Sequence, residues 1–202
     1  MKTILNKINL PKKILEQIEN RLISFSKIHN KNSLAWFNEL CFCILTANSK
    51  ALIALKIEKE MGENGFSQKS KNEITLILQK NNHRFYNKRA EYIIEARKYI
   101  NIKEHLRDLS STDARKFLVK NIKGLGYKEA SHFLRNVGYT DVAIIDRHIL
   151  RFLYNEKLIS KIPKTITQIF YLNCEQILSA FDIPQNKLDL ILWAHMTGKV
   201  LK

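Results

Sequence analysis

Lys128 and Asp146, set 18 positions apart, are the two side chains of this sequence best suited to chemistry. A neutral lysine amine is a nucleophile that can form a Schiff base, and a nearby carboxylate can stabilise developing positive charge. A free lysine has a pKa of about 10.4, so only roughly one in 10³ is neutral at pH 7. A helix N-terminus, burial and neighbouring cations all lower that pKa. A lysine at a helix start is usually a solvated charge, so its surroundings must decide between the two interpretations.

A predicted helical hairpin places Lys128. Residues 112–121 form its first helix, the turn Lys123-Gly124-Leu125-Gly126-Tyr127 follows, and the second helix ends at Gly138, where a positive φ is expected. Glycines in such a turn allow backbone N–H groups to approach a phosphate closely. A GxG turn is also a common tight connection, but Lys128 just after it and an acid 18 positions further on favour a helix-hairpin-helix.

A short extended loop places Asp146. The apolar run 142–145 ends at this residue, which can cap a third helix beginning at Arg147. A capping carboxylate is held rigidly, so the structural and chemical roles of Asp146 are compatible.

Helical spacing of apolar residues continues through most of the chain, with no useful strand pattern apart from the loop at 142–145. Ser70 and Glu73 have the spacing of a capping box, and Gly62 and Gly198 each close a predicted helix. Further helices are predicted at about 33–47, 50–61, 86–99, 102–109, 165–181 and 186–196. The pattern predicts an all-α fold of two helical lobes, with the hairpin and Asp loop, about 112–150, at their junction. We expect residues 1–202 to form a single domain.

The charge balance favours an anionic partner. The chain has 202 residues, with 34 Lys and Arg against 19 Asp and Glu, for a net charge of +15. Such a surplus is typical of proteins that bind nucleic acid or an anionic membrane surface. A Lys-, Ile- and Asn-rich composition also arises in AT-rich genomes, so charge alone leaves the choice open.

The three cysteines, Cys41, Cys43 and Cys174, form no CxxC pair, which predicts buried, reduced thiols in a cytosolic protein. No signal segment and no run of 18 apolar residues is present, so neither export nor a membrane span is predicted. We expect a cytoplasmic monomer, associated with the nucleoid if the source is prokaryotic.

Residues 124–138, GLGYKEASHFLRNVG, and 143–150, AIIDRHIL, resemble the helix-hairpin-helix DNA glycosylase superfamily, and in particular the compact 8-oxoguanine DNA glycosylase/AP lyases. The similarity extends to ELCFCILTAN at 39–48, HRFYNKRAEYI at 83–93, and LDLILW and TGKVLK near the C-terminus. One departure is that the Gly/Pro-Asp loop of the superfamily is Ile144-Ile145-Asp146 here.

The resemblance implies a bifunctional enzyme of base excision repair acting on 8-oxoguanine in duplex DNA. The base is flipped, Lys128 attacks C1′ and displaces it, and the resulting Schiff base undergoes β-elimination that cuts the strand 3′ to the lesion. Asp146 would stabilise the developing oxocarbenium charge and help to activate Lys128.

Asp189 and Trp193 are four apart on one face of the last helix, so a carboxylate acceptor for guanine N1–H and N2–H lies beside an indole plate. In relatives, residues matching Phe85 and Trp193 sandwich the base. Core packing is the alternative role of these two aromatic residues. A terminal lysine, here Lys202, closes the pocket in relatives, and Val200-Leu201 is apolar enough to fold back onto the last helix; a frayed end is the alternative.

The resemblance also implies DNA contacts at the hairpin glycines Gly124 and Gly126, at Asn48 where the base has left, and at Arg147 and His148 beside the flanking phosphates. A plain helix cap is the alternative for Asn48, and ordinary helix surface for the other two side chains.

Several relatives carry a four-cysteine iron–sulfur cluster, which three scattered cysteines cannot build. We therefore expect no redox cofactor and no metal ligand set, although hairpin carbonyls could hold a monovalent cation beside a phosphate.

The expected partner is double-stranded DNA containing 8-oxoguanine or AP sites. The alternatives are the same chemistry on an oxidised pyrimidine, and a non-catalytic hairpin module that binds DNA. Lys128 with Asp146 argues against the module, and Asp189 with Trp193 favours a purine pocket.

Overall fold

A computed structural model describes residues 2–5 and 8–202, and the regular structure within these ranges is entirely helical, as predicted. The helices are α1 (Lys2–Leu5), α2 (Lys12–His29), α3 (Ser33–Thr46), α4 (Ala51–Met61), α5 (Gly65–Gln68), α6 (Lys71–Lys80), α7 (Tyr86–Ala96), α8 (Ile102–Leu106), α9 (Ser111–Asn121), α10 (Tyr127–Asn136), α11 (Arg147–Asn155), α12 (Gln168–Ser179) and α13 (Gln185–Thr197), with a 3₁₀ turn at Arg97–Tyr99.

Helix ends follow the local signals of the sequence. Ser70 and Glu73 make the predicted capping box at the start of α6, which satisfies backbone N–H groups that the helix itself cannot. Gly62 and Gly138 have φ of 66° and 99°, the left-handed region that glycine enters without strain, and each follows a helix. These residues therefore confirm the predicted start of α6 and the predicted ends of the helices before Gly62 and Gly138.

Helix α3 is the centre of the first core. It is apolar nearly all round, and every residue from Glu39 to Thr46 is buried. The first core also includes Phe66, Ile93 and Phe133, and α3 packs against α4, α7, α8 and α10. A helix without a polar face must be surrounded by other elements, which fixes α3 inside this lobe.

A second core lies among α11, α12 and α13 and includes Ile149, Leu153, Cys174 and Leu192. The chain passes from the first core to the second within one loop, since Val142 packs in the first and Ala143 in the second. This confirms the two helical lobes, with the Asp loop at their junction.

The differences from the predicted helices are at helix ends. The helix expected at 165–181 begins at Gln168, because the Thr167 side chain accepts a hydrogen bond from Phe170 N and caps it. The helix expected at 102–109 ends at Leu106, and α5 was not predicted because four residues are too few to show a period. Among the described residues no helix is long and apolar enough to cross a bilayer.

Candidate active site

The hairpin turn depends on Gly124. Its φ is 87°, and a Cβ at this position would lie 2.6 Å from the Tyr92 ring and 2.7 Å from Arg89 Nη1. Any side chain here would therefore be strained and would collide with α7. Gly126 has a φ of −93° and caps α10, and Glu129 Oε2 accepts a hydrogen bond from its N–H at 3.3 Å.

Lys128 lies in the first turn of α10, as predicted. Its side chain is 36% exposed, and Nζ is 3.5 Å from Glu129 Oε1. The amine is thus held beside the hairpin yet remains open to a ligand, which an attacking nucleophile requires.

Asp146 is the N-cap of α11, as predicted. Oδ1 accepts hydrogen bonds from His148 N at 2.8 Å and Ile149 N at 2.9 Å. Capping uses one oxygen, and Oδ2 accepts no hydrogen bond from the described residues, so half of the carboxylate is open to chemistry.

The backbone before Asp146 is fixed by side chains of the second lobe. Ala143 N donates to Glu175 Oε1 at 3.0 Å, and Ile145 N donates to Tyr171 Oη at 3.1 Å. Ile144 N donates to Asp189 Oδ2 at 3.3 Å. Three successive amides are therefore anchored, and the extended loop needs no partner strand.

A cavity of about 460 Å³ lies between the lobes, and we call it the Lys128 cavity. Its lining includes Lys128, Asp146, Trp193 and Lys202, together with His132 and His148. The structure thus brings together the predicted nucleophile, the predicted acid and most of the predicted base-binding residues. Candidate donors of the cavity are amine, guanidinium, imidazole, indole and hydroxyl groups, and its walls include Ile144, Leu190 and Leu201.

Asp189 also lines the cavity, but its carboxylate is already engaged. It is 1% exposed, pairs with Arg135 Nη1 at 3.2 Å, and accepts the Ile144 amide. Burial raises the pKa of Asp189 to about 6, against the opposing attraction of Arg135. Asp189 therefore holds the loop that carries Asp146, a role that sequence reasoning missed because Arg135 lies 54 residues away.

Trp193 and Phe85 have different surroundings. Trp193 lines the cavity, with the His148 ring 6.0 Å from it at 74°. Phe85 precedes α7, is 37% exposed, and does not line the cavity. Two guanidinium groups lie near its ring, Arg84 at 5.0 Å and Arg89 at 6.0 Å. The pairing of Phe85 with Trp193 on either side of a flipped base therefore stays a prediction.

The C-terminal residues fold back as expected. Val200 packs against the patch that contains Phe25 and Leu190, and Leu201 lines the cavity. Lys202 also lines it, but its ammonium lies 2.7 Å from Glu39 Oε1 and 2.6 Å from Glu58 Oε1. The attraction of these acids raises the pKa of Lys202, although burial opposes that shift.

A broader basic groove of about 1500 Å³ shares Lys128 and Asp146 with the cavity. Its basic lining residues are Lys50, Lys128, Arg147, Arg151 and Lys164, and its acidic ones are Glu129 and Asp146. Asn48, Gly126, Arg147 and His148 line this groove, whereas Gly124 does not. Asn48 is exposed with a φ of 56°, which asparagine tolerates better than most residues. A cationic groove that meets a nucleophile suits a polyanionic ligand.

Within the described ranges no group of three or more His, Cys, Asp or Glu side chains is arranged to hold a metal ion. All three cysteines are free and buried, as predicted. Burial raises the pKa of the Cys174 thiol to about 11, so this side chain is an unreactive part of the second core.

Comparisons with known proteins identify the family. The sequence model described as 8-oxoguanine DNA glycosylase matches residues 18–186. An 8-oxoguanine DNA glycosylase/AP lyase of Methanocaldococcus jannaschii is 50% identical over 194 residues, covering 94% of this chain and 93% of that protein. The protein of the same description from Aquifex aeolicus is 44% identical over 177 residues, covering 82% and 78%.

Solved structures also match all or nearly all of the chain. The crystal structure of the M. jannaschii 8-oxoguanine glycosylase/lyase in complex with 15mer DNA containing 8-oxoguanine has a TM-score of 0.92, with 47% identity and 100% of both chains covered. That of the 8-oxoguanine DNA glycosylase of Thermotoga maritima has a TM-score of 0.88, with 39% identity and 95% and 94% covered. The chain therefore belongs to the 8-oxoguanine DNA glycosylase family.

Proposed function

We propose that this chain excises 8-oxoguanine from duplex DNA and then cleaves the strand at the resulting AP site. The observation that carries the proposal is that Lys128 and Asp146 line one cavity and that both residues also line the basic groove. A duplex in the groove would thus present an extruded nucleotide to both groups.

Lys128 first loses a proton to solvent, and its Nζ then attacks C1′ while the bond from C1′ to N9 breaks. The base leaves with the electron pair of that bond and takes up a proton. Positive charge develops on the sugar as that bond breaks, and the open Oδ2 of Asp146 stabilises it. The sugar ring opens to leave an imine between Nζ and C1′. In the β-elimination, a C2′ proton passes to solvent and the C3′–O bond breaks, so that the DNA on the 3′ side leaves with a 5′-phosphate. Water then hydrolyses the imine and releases Lys128.

We propose further that these steps need no redox cofactor, because displacement and elimination pass no electrons to an acceptor. A monovalent cation held by hairpin carbonyls would position one phosphate, and replacing potassium by tetramethylammonium at equal ionic strength would then weaken binding. The proposed setting is chromosomal DNA in the cytoplasm, with the chain acting as a monomer.

The test is excision and borohydride trapping on duplexes that differ only in the lesion. Wild-type protein should release 8-oxoguanine, nick the strand and form a trapped complex, and an undamaged duplex should give none of these. Equal trapping on a thymine glycol duplex would mean that the substrate is any of several oxidised bases and not 8-oxoguanine in particular. If no lesion gives a product, the remaining interpretation is a DNA-binding module without catalytic activity.

A further inference from the structure

His132 is a cavity residue that the mechanism above does not use. It lies four positions after Lys128 in α10, so the two side chains share one helix face, and both line the Lys128 cavity. Its ring is edge-on to Phe42, with centroids 5.7 Å apart and planes at 80°. The imidazole is therefore held by the first core at the wall of the cavity.

The Nε2 atom of His132 is buried and has no hydrogen-bond partner among the described residues. The whole residue is 6% exposed. Buried polar atoms are nearly always hydrogen-bonded, and an exception at a cavity wall marks a place where a ligand can complete the bonding.

The charge state of His132 suits an uncharged ligand group. Burial, with the nearby cations Arg135 and Lys128, lowers the pKa of His132 well below its ordinary value, against the opposing effect of a hydrogen bond between the ring and the backbone of Lys202. The ring is therefore neutral at physiological pH and has one N–H donor and one nitrogen acceptor. A neutral imidazole can hydrogen-bond a base without adding another cation beside Lys128.

Two other charged groups of the cavity are already engaged. Asp189 is held by Arg135 and the Ile144 amide, and the ammonium of Lys202 is held by Glu39 and Glu58. 8-Oxoguanine offers N1–H, N2–H and N7–H as donors and O6 and O8 as acceptors. A base with so many polar groups needs partners once it has left the duplex.

We propose that His132 contacts the extruded base and that its Nε2 completes its hydrogen bonding there. The inference rests on the function proposed above, and it makes His132 a specificity residue that binds the base and takes no part in the covalent steps. His132 therefore matters for a substrate with a base and is dispensable for an AP site.

The test compares His132→Phe, which keeps an aromatic ring and has no nitrogen, with His132→Gln, which keeps a polar amide. His132→Phe should lower single-turnover excision of 8-oxoguanine by about 10- to 100-fold, because the base loses a buried hydrogen-bond partner. Cleavage of a preformed AP site should stay within about twofold of wild type. His132→Gln should retain more excision than His132→Phe. The matched control is His105→Phe, an exposed ring stacked on Phe117, which should leave both activities unchanged.

Binding gives a second measurement, in the Lys128→Gln background where no chemistry occurs. His132→Phe should weaken binding of an 8-oxoguanine duplex by about tenfold and leave binding of a tetrahydrofuran duplex, which lacks a base, unchanged. Wild-type excision by His132→Phe, equal losses on both duplexes, or a His132→Gln variant as poor as His132→Phe would each overturn the inference. A wild-type protein that does not excise 8-oxoguanine would instead overturn the proposed function.

Discussion

The ammonium of Lys202 lies 2.7 Å from the carboxylate of Glu39, a buried acid in the middle of α3. Asn136 Nδ2 donates to the other oxygen of Glu39 at 3.1 Å, and Glu58 holds the opposite side of the ammonium. The Phe42 ring lies 4.3 Å from the same nitrogen. Lys202 is therefore anchored to the first core, and its ammonium fixes the segment that forms one wall of the cavity.

Replacing Lys202 by methionine should selectively weaken 8-oxoguanine excision. The stem can still pack on Phe42, but Glu39 is left buried without its cation, a loss of about 3 kcal/mol in unfolding free energy. The measurement is the ratio of base excision to AP-site cleavage, which should fall. The double variant Glu39→Gln/Lys202→Met removes both charges and should be more stable than Lys202→Met alone. An unchanged ratio in both variants would show that the C-terminal segment plays no part in binding the base.

Replacing Lys128 by glutamine should abolish borohydride trapping while binding of an 8-oxoguanine duplex remains. An amide has no nucleophilic amine, yet it fits the partly exposed position at the start of α10. Lys123→Gln, five positions earlier in the hairpin turn and paired with Glu95, is the control that should trap normally. Undiminished trapping by Lys128→Gln would place the nucleophile elsewhere.

Replacing Asp146 by asparagine should lower base excision by roughly 10²- to 10⁴-fold, the range for a positioned acid/base or electrostatic group. The amide oxygen can still accept from His148 N and Ile149 N, so the cap and the fold should persist. Single-turnover rates and thermal unfolding separate the two effects. A folded variant with wild-type rates would leave Asp146 as a cap only.

DNA affinity should fall steeply with salt. If about six phosphates are neutralised, the slope of log K against log salt should be near −5. Replacing Arg151, an exposed residue of the basic groove, by glutamine should reduce the magnitude of this slope by about 1. A slope near zero would mean that the +15 charge reflects composition and not a DNA surface.

Stability should depend on pH through Asp189. Its pKa is about 6 in the folded chain, because of burial, and about 3.9 in an unfolded one. Between these values the native state binds more protons, so this group lowers the unfolding free energy as pH rises from about 4 to 6 and contributes no slope above that. The total is at most about 3 kcal/mol. Denaturant unfolding of wild type and Asp189→Asn across pH 4 to 7 measures the difference, which a flat difference curve would contradict.

Sequence patterns predicted what depends on neighbours along the chain. The caps at Ser70 and Asp146, the glycine at 138 and the burial of α3 follow from local spacing, and the structure confirms each. The pairing of Asp189 with Arg135 could not be predicted, because both residues are polar and nothing in the sequence around either one indicates that the other is its partner. Likewise, His132 reads as an ordinary helix residue until the fold buries it beside Lys128.

The loop before Asp146 has a consequence for how such a sequence can change over time. Tyr171, Glu175 and Asp189 hold its amides from α12 and α13, so the loop does not rely on a glycine or proline of its own. Ile144 and Ile145 can stand there for that reason. Selection on the geometry of Asp146 then falls on anchors 26 to 45 positions from the amides that they hold, whereas Ile144 and Ile145 are constrained by their own burial.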